Sequence, residues 1–294
     1  MPKTTLDQWR SLQAVVDAGG FAQASTQLHR SQSAVSYAVA RLQEVLGIEL
    51  LRIEGRKAQL TEAGSVLLRR SRHLTGEAAE LEQLATNLAR GWEAEIRLAV
   101  DEAYPIDMLM KVLKDFEPVS RGTRVLLKEV VLSGAEDALV GHQVDLAITG
   151  RIPARYLGDK LLEIKFIAVA HPDHPLHQLQ RTLTLNDLAK HLQVVISDSG
   201  ADKPQDFGWL EAEHRWSVTN MNTAMMVIAN GLGFGWLPEQ QMSARLQQGT
   251  LKPLPLREGQ NYYVHMYLVY GNADQAGPAT RQLADLFRKT HPLS

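Results

Sequence analysis

A helical head followed by an α/β body is the fold this sequence predicts. Three observations carry that reading. Apolar residues recur three or four apart through residues 5–90, leucines repeat every seven residues from Leu60 to Leu88, and beyond Gly91 short apolar runs alternate with helical patterns. The expected organisation is a small domain over 1–60, a long helix over 61–91, and a two-lobed α/β domain over 92–294. Lobe I is expected at about 92–162 and 270–294, and lobe II at about 163–269.

In the head, Leu6, Trp9, Leu12 and Val16 share one face of a first helix, which Gly19-Gly20 ends. Phe21, Ala24, Ser25 and Leu28 give the inner face of a second helix. Ser31 or Gln32 opens a third, whose buried face is expected to be Val35, Val39, Leu42 and Leu46, with Gly47 as the stop. Residues 50–61 read as a hairpin with Gly55 at its tip and Arg52, Arg56 and Lys57 around it. Thr61 is then the N-cap of a helix from about Glu62 to Arg90. Along that helix Leu60, Leu67, Leu74, Leu81 and Leu88 form a seam that must be covered. Either a second helix covers it or the chain's own body does.

The body begins with a β-α-β-α-β rhythm: strand Ile96–Val100, helix Pro105–Phe116, strand Thr123–Val131, helix Ala135–Val140 and strand Val144–Thr149. This implies parallel pairing with right-handed crossovers. A second set follows with strands at Phe166–Ala170, Gln193–Ser197, Trp216–Val218 and Phe234–Leu237 and helices near Leu185–Leu192 and Asn222–Asn230. Strand Tyr262–Tyr270 and helix Ala279–Lys289 complete it. Two lobes joined by two crossings fit this order, and ligands on such sheets sit at the carboxyl ends of the strands.

Composition narrows the chemistry. The 294 residues include no cysteine, which excludes disulfides, thiolate metal sites and cysteine nucleophiles. The N-terminus lacks the apolar core of a signal peptide. The longest uncharged stretch, Trp216–Pro238, carries three glycines and three asparagines and is no membrane span. A cytoplasmic protein without a membrane partner is expected. Net charge is −2, yet residues 1–72 hold ten Lys/Arg against six Asp/Glu, so a head of net +4 sits on a body of net −6. A basic head suits a nucleic-acid reader.

Residues 19–47 refine that point. Two short helices joined by a tight turn make a helix-turn-helix, in which the second helix enters the major groove of double-stranded DNA and the first braces it. Ser31, Gln32, Ser33, Ser36, Tyr37 and Ala40 lie opposite Val35, Val39 and Leu42. Gln32 can pair with adenine, the serines with phosphates or bases, and Tyr37 with a phosphate or a thymine methyl. Arg52, Arg56 and Lys57 in the wing would hold the backbone without reading sequence. The bland alternative is a three-helix core with a polar face.

Residues 6–64 resemble the N-terminal domain of LysR-type transcriptional regulators. The residues that carry the resemblance are Leu6, Val16, Gly20-Phe21, Ala24, Leu28, Ser31-Gln32-Ser33-Ala34-Val35-Ser36, Leu42, Leu46-Gly47, Leu50, Arg52, Arg56 and Leu60-Thr61-Glu62-Ala63-Gly64. Gly20, Ser25, Tyr37 and Leu51 depart from the family's usual residues. The resemblance extends over the whole chain in length and layout. It implies a winged helix-turn-helix, a dimerising linker helix, and an effector domain similar to periplasmic binding proteins. It further implies a homodimer or homotetramer that binds DNA, a small-molecule effector between the lobes, and contact with RNA polymerase.

By position, the resemblance puts effector residues after the first strand (Asp101, Glu102, Tyr104), after the second (Leu132, Ser133) and at Thr149. Lobe II would add Ser197, Asp198, Ser199, Thr219 and Asn220. Residues of these types after strands also simply cap the next helix. The acceptor-rich run Ser197–Asp202, with Asp101-Glu102 opposite, points to an effector carrying an amine or several polar hydrogens. No cofactor, catalytic constellation or metal site is expected. Gly231-Leu-Gly233-Phe-Gly235 follows a helix and precedes a strand, the reverse of a dinucleotide loop. His171, His174 and His177 lie in a proline-rich loop with no evident fourth ligand. The rival from another class is a two-lobed binding protein or enzyme whose N-terminal helices serve only assembly.

Overall fold

Thr5 starts the first helix by a reciprocal cap: its hydroxyl accepts from the Gln8 N–H (3.3 Å) and the Gln8 side chain accepts from the Thr5 N–H (2.9 Å). This computed structural model describes residues 2–54, 57–200 and 214–291, and of residues 53, 54 and 57 only the main chain. The chain divides into two compact units, residues 1–87 and 88–294.

In the first unit, α1 (Leu6–Asp17) buries Trp9, Leu12 and Val15. Leu6 and Val16 are only half-buried, so the inner stripe is displaced from the expected one. Helix α2 (Phe21–Gln27) buries Ala24. Helix α3 (Gln32–Leu46) buries Val35, Ala38, Val39 and Leu42, and Gly47 ends it at φ 67°, a left-handed conformation that glycine adopts without strain. Leu46 was expected inside; it is exposed, because it stands in the last turn beyond the apolar cluster formed with α1 and α2. Strands β1 (Leu51–Glu54) and β2 (Lys57–Leu60) pair antiparallel from Leu51↔Leu60 to Glu54↔Lys57.

Helix α4 (Glu62–Ala89) is capped by Thr61, whose hydroxyl accepts from the Gly64 N–H at 2.9 Å. Its first half belongs to the head. Leu68 is buried there, and Gln13 of α1 donates to Ser71 and Thr75 at 3.0 and 3.1 Å. Arg72 pairs with Asp17. Farther along the leucine seam, Leu74 is 48% and Leu81 68% exposed among the described residues.

The second unit is built on one mixed sheet. Strands β3 (Glu95–Asp101), β4 (Arg124–Val130) and β5 (Leu146–Thr149), with α5 (Ile106–Phe116) and α6 (Gly134–Val140) between them, pair in parallel as expected. Strand β6 (Gly158–Ala170) then runs thirteen residues, much longer than the expected Phe166–Ala170. After it come α7 (Pro175–Gln178), α8 (Leu185–Ala189), β7 (Gln193–Ile196), β8 (Arg215–Val218), α9 (Met221–Ala229) and β9 (Phe234–Pro238). The chain closes with α10 (Ser243–Gln247), β10 (Lys252–Pro253), β11 (Asn261–Tyr270) and α11 (Pro278–Thr290). The order is β4-β3-β5-β11-β6-β9-β7-β8, with β10 also on β6.

The sheet is parallel only within each lobe. Strand β11 is antiparallel to β5 and β6, and β6 is antiparallel to β9. The reason is connectivity: β6 leaves lobe I and enters lobe II, and β11 returns beside it. The register shift between Met266 and Tyr267, opposite Leu162 and Lys160, marks the passage from one lobe to the other. Lobe II strands therefore run opposite to those of lobe I. The carboxyl ends of β3 and β5 face those of β7 and β9 across the join, where a ligand site is expected on topological grounds. Lobe I is packed through Val112, Phe116, Leu283 and Phe287 of α5 and α11.

Candidate DNA interface and candidate effector cleft

Helix α3 has two chemically distinct faces. Val35, Val39 and Leu42 are fully enclosed, which contributes on the order of 1.5–3 kcal/mol each. Ser31, Gln32, Ser33, Ser36 and Tyr37 are all exposed, Tyr37 at 72%. The Ser31 hydroxyl serves the helix end, accepting from the Ala34 N–H at 3.2 Å and lying 3.0 Å from the Ser33 hydroxyl. The amide of Gln32 and the hydroxyls of Ser36 and Tyr37 project from the first turns. Arg52 on β1 is exposed and 3.6 Å from Glu49. Arg56 lies outside the described residues. Lys57 is placed as a strand residue, its main chain paired with Glu54.

A cavity of about 380 Å³ in the second unit lies at the join of the two lobes. Of the eleven residues expected to touch effector, Asp101 and Leu132 line it. Asp101 ends β3 and is 7% exposed; its carboxylate accepts from the Ala103 N–H at 2.9 Å. Burial raises its carboxyl to about 7, with the backbone N–H groups of Ala103 and Leu132 opposing and the charges of Glu102 and Asp198 reinforcing the rise.

Four of the expected residues instead join the lobes to each other. The Asp198 carboxylate of lobe II accepts from the Ser133 N–H (3.0 Å) and the Ser133 hydroxyl (2.6 Å) at the N-terminus of α6. The Glu102 carboxylate of lobe I accepts from the Met221 N–H (2.6 Å) at the N-terminus of α9. Each lobe thus supplies the acid that caps a helix of the other. The Ser199 hydroxyl accepts from the Val131 N–H (2.8 Å) and donates to the Val131 carbonyl (3.1 Å). Gly134 permits this approach, since a Cβ there would stand 2.0 Å from the Ser199 hydroxyl oxygen. Burial raises Glu102, and the hydrogen bond from Met221 opposes the rise.

The remaining expected residues have local duties. Tyr104 was expected at the cleft; it is buried in lobe I, where its hydroxyl lies 2.7 Å from His291 Nε2, and it does not line the cavity. Thr149 is fully buried and its hydroxyl donates to the Arg151 carbonyl at 3.0 Å. The Ser197 N–H continues the β7–β8 pairing to the Val218 carbonyl. Asn220 caps α9 by accepting from the Thr223 N–H at 2.7 Å, and Thr219 is exposed beside it. The expected cleft contacts are thus largely spent on helix ends and turns.

Sequence reasoning missed the aromatic wall. Phe166, Trp236, Tyr262, Tyr263 and Tyr267 line the cavity, and Phe166 stacks on Tyr262 with ring centres 4.8 Å apart. For the three tyrosines the sequence signal is the crowded run Tyr262–Tyr267, whose spacing by itself marks only a strand. Of the histidine loop, His174 is buried and accepts from the Leu176 N–H. Burial and neighbouring histidines lower it to about 4. Among the described residues no group of three His, Asp or Glu is arranged to hold a metal. No described helix is long and apolar enough to cross a membrane.

An exposed reading helix with a wing, followed by a two-lobed domain enclosing a cavity, defines a DNA-binding regulator with a ligand-sensing body. Residues 6–65 match the bacterial regulatory helix-turn-helix domain of the lysR family, and residues 89–292 match the LysR substrate binding domain. The chain belongs to the LysR family of transcriptional regulators, with a DNA-binding helix-turn-helix and an effector-binding domain. Similar proteins include YeeY of Escherichia coli K12, an uncharacterized HTH-type transcriptional regulator, at 29% identity over 257 residues, covering 85% of this chain and 82% of YeeY. PunR of the same organism, also an HTH-type transcriptional regulator, is 28% identical over 248 residues, covering 83% and 80%. Among solved structures, full-length LysG of Corynebacterium glutamicum with bound effector Arg has a TM-score of 0.53 at 22% identity and 98% coverage of each chain. The Vibrio cholerae virulence activator AphB has the same TM-score at 19% identity, covering 98% and 100%. These last two likenesses concern the fold.

Proposed function

We propose that this regulator reads its operator through the first turns of α3 and is switched by a small molecule in the interlobe cavity. The observation that carries the first half is the division of α3, sealed along Val35, Val39 and Leu42 and open along Ser31, Gln32, Ser33, Ser36 and Tyr37. Gln32 is the base reader, because its amide pairs bidentately with adenine. Arg52, Arg56 and Lys57 serve as backbone contacts. We assign the domains the limits 1–60, 61–91 and 92–294, and place the protein in the cytoplasm, without enzymatic activity or a cofactor.

The exposed leucines of α4 support self-association. A seam with Leu74 half and Leu81 two-thirds exposed is too apolar to stay in water along one helix. A second copy supplies the matching seam, giving a homodimer, and family resemblance extends this to a homotetramer that contacts RNA polymerase. Ligand and DNA are then linked equilibria: whatever alters the relation between lobes alters the assembly on DNA. Selection of bound sequences from a random duplex pool tests the reading. An enriched, dyad-symmetric motif is expected; retention of duplexes without any preference would refute it.

A further inference from the structure

We propose that the interlobe cavity takes an organic ammonium ion with an apolar body, held by Asp101 and the aromatic wall, and excludes carboxylates. This rests on the assignment of the cavity as the effector site. Two helix N-termini at the join, those of α6 and α9, would offer an anion N–H groups and a favourable dipole. Both are occupied by the chain's own acids: Asp198 on Ser133 at the start of α6, and Glu102 on Met221 at the start of α9. An incoming carboxylate must displace one of these or approach them against like charge.

What the cavity offers instead is a carboxyl and ring faces. Asp101 is enclosed, lines the cavity, and has Glu102 and Asp198 as the charges acting on it, both acidic. Trp236, Tyr262 and Phe166 supply aromatic surface, and the negative faces of such rings attract cations. Two basic side chains also line the cavity, but Arg151 is exposed and His265 sits 3.1 Å from the Glu163 carboxylate. A single ammonium at Asp101 satisfies the buried acid, and an apolar body fills the space between Val194, Ile196 and Met266. Ionised Asp101 is the form that binds, so the raised carboxyl makes uptake of a cation increase as pH rises through about 7.

The test is calorimetric titration of the full chain at pH 8 with phenethylamine, phenethyl alcohol and phenylpropionate, which share a ring and differ in the charged group. Phenethylamine should bind at least tenfold more tightly than the alcohol, and phenylpropionate should not bind. Asp101→Asn should cost the amine at least tenfold while leaving the alcohol unchanged. Ile196→Phe, which fills the cavity from its wall, should abolish both; cooperative melting of each variant shows that it is folded. If phenylpropionate binds as well as the amine and Ile196→Phe removes it, the cavity is the site and the ligand class is wrong. If the amine binds equally to wild type and both variants, the cavity itself is not the effector site. Absence of binding by all three compounds at millimolar concentration also overturns the ammonium assignment.

Discussion

Asp101→Asn should stabilise this protein above pH 7, although it removes an acid from the wall of the interlobe cavity. The carboxyl is 7% exposed and raised from 3.8 to about 7. The sign follows from proton counting. Between about pH 4 and 7 the folded chain holds a proton on Asp101 that the unfolded chain has lost, so stability falls as pH rises. Below pH 4 both states are protonated and the substitution is nearly neutral. Above pH 7 the folded state must carry a buried charge, and the difference levels off at an upper value on the order of 4 kcal/mol. Asparagine keeps an oxygen to accept from the Ala103 N–H, so the backbone contact survives. With relaxation of the site we expect roughly 2–3 kcal/mol at pH 8, a rise in melting temperature of roughly 5–10 °C. Thermal melts of wild type and variant from pH 4 to 8 measure it. Acids other than Glu102 and Asp198, whose charges act on Asp101, affect both proteins alike and cancel in the difference. A gap independent of pH, or a variant less stable than wild type at pH 8, would refute the burial argument.

Other expectations follow from the same geometry. Leu81→Lys places a charge on the exposed part of the α4 seam and should shift the sedimenting species toward monomer with little change in the melting of the head; an unchanged mass would mean the seam is not the self-association surface. Ser133→Ala deletes the hydroxyl that donates to Asp198, and Gly134→Ala pushes a methyl against Ser199; both should increase hydrogen exchange at residues 131–135 and 198–200, with the glycine variant the stronger. Protection unchanged from wild type in both variants would show that these bonds do not hold the lobes together. Arg52→Ala should weaken binding to all duplexes alike and reduce the salt slope by about one, read by anisotropy titrations at several ionic strengths.

How far the residues alone reached can be judged at three places. Spacing sufficed for α3, because a helix with Val35, Val39 and Leu42 on one side must show Ser36 and Tyr37 on the other. It failed at Leu46, whose burial depends on where the core ends rather than on periodicity. The alternation of strands and helices after Gly91 was legible, but the antiparallel course of β6 and β11 was not, since pairing partners are chosen by the return path between lobes. At the cleft, Asp198 and Ser199 read from sequence as available acceptors. Their partners, Ser133 and Val131, lie more than sixty residues away, and no local pattern marks them as already satisfied. The cavity wall was hidden for a related reason: Tyr262 and Tyr263 face opposite sides of a strand at a site where two lobes meet, and only the assembled sheet brings both to its rim.

The most direct measurement is footprinting of a selected operator by wild type and by Gln32→Ala. Gln32 is exposed, so its removal should leave stability within about 0.5 kcal/mol. A loss of about 1–3 kcal/mol on the operator, relaxed base choice at one position of each half-site, and unchanged affinity for random duplex are expected. An identical footprint at unchanged affinity would contradict it, because α3 would then not be the element that reads the bases.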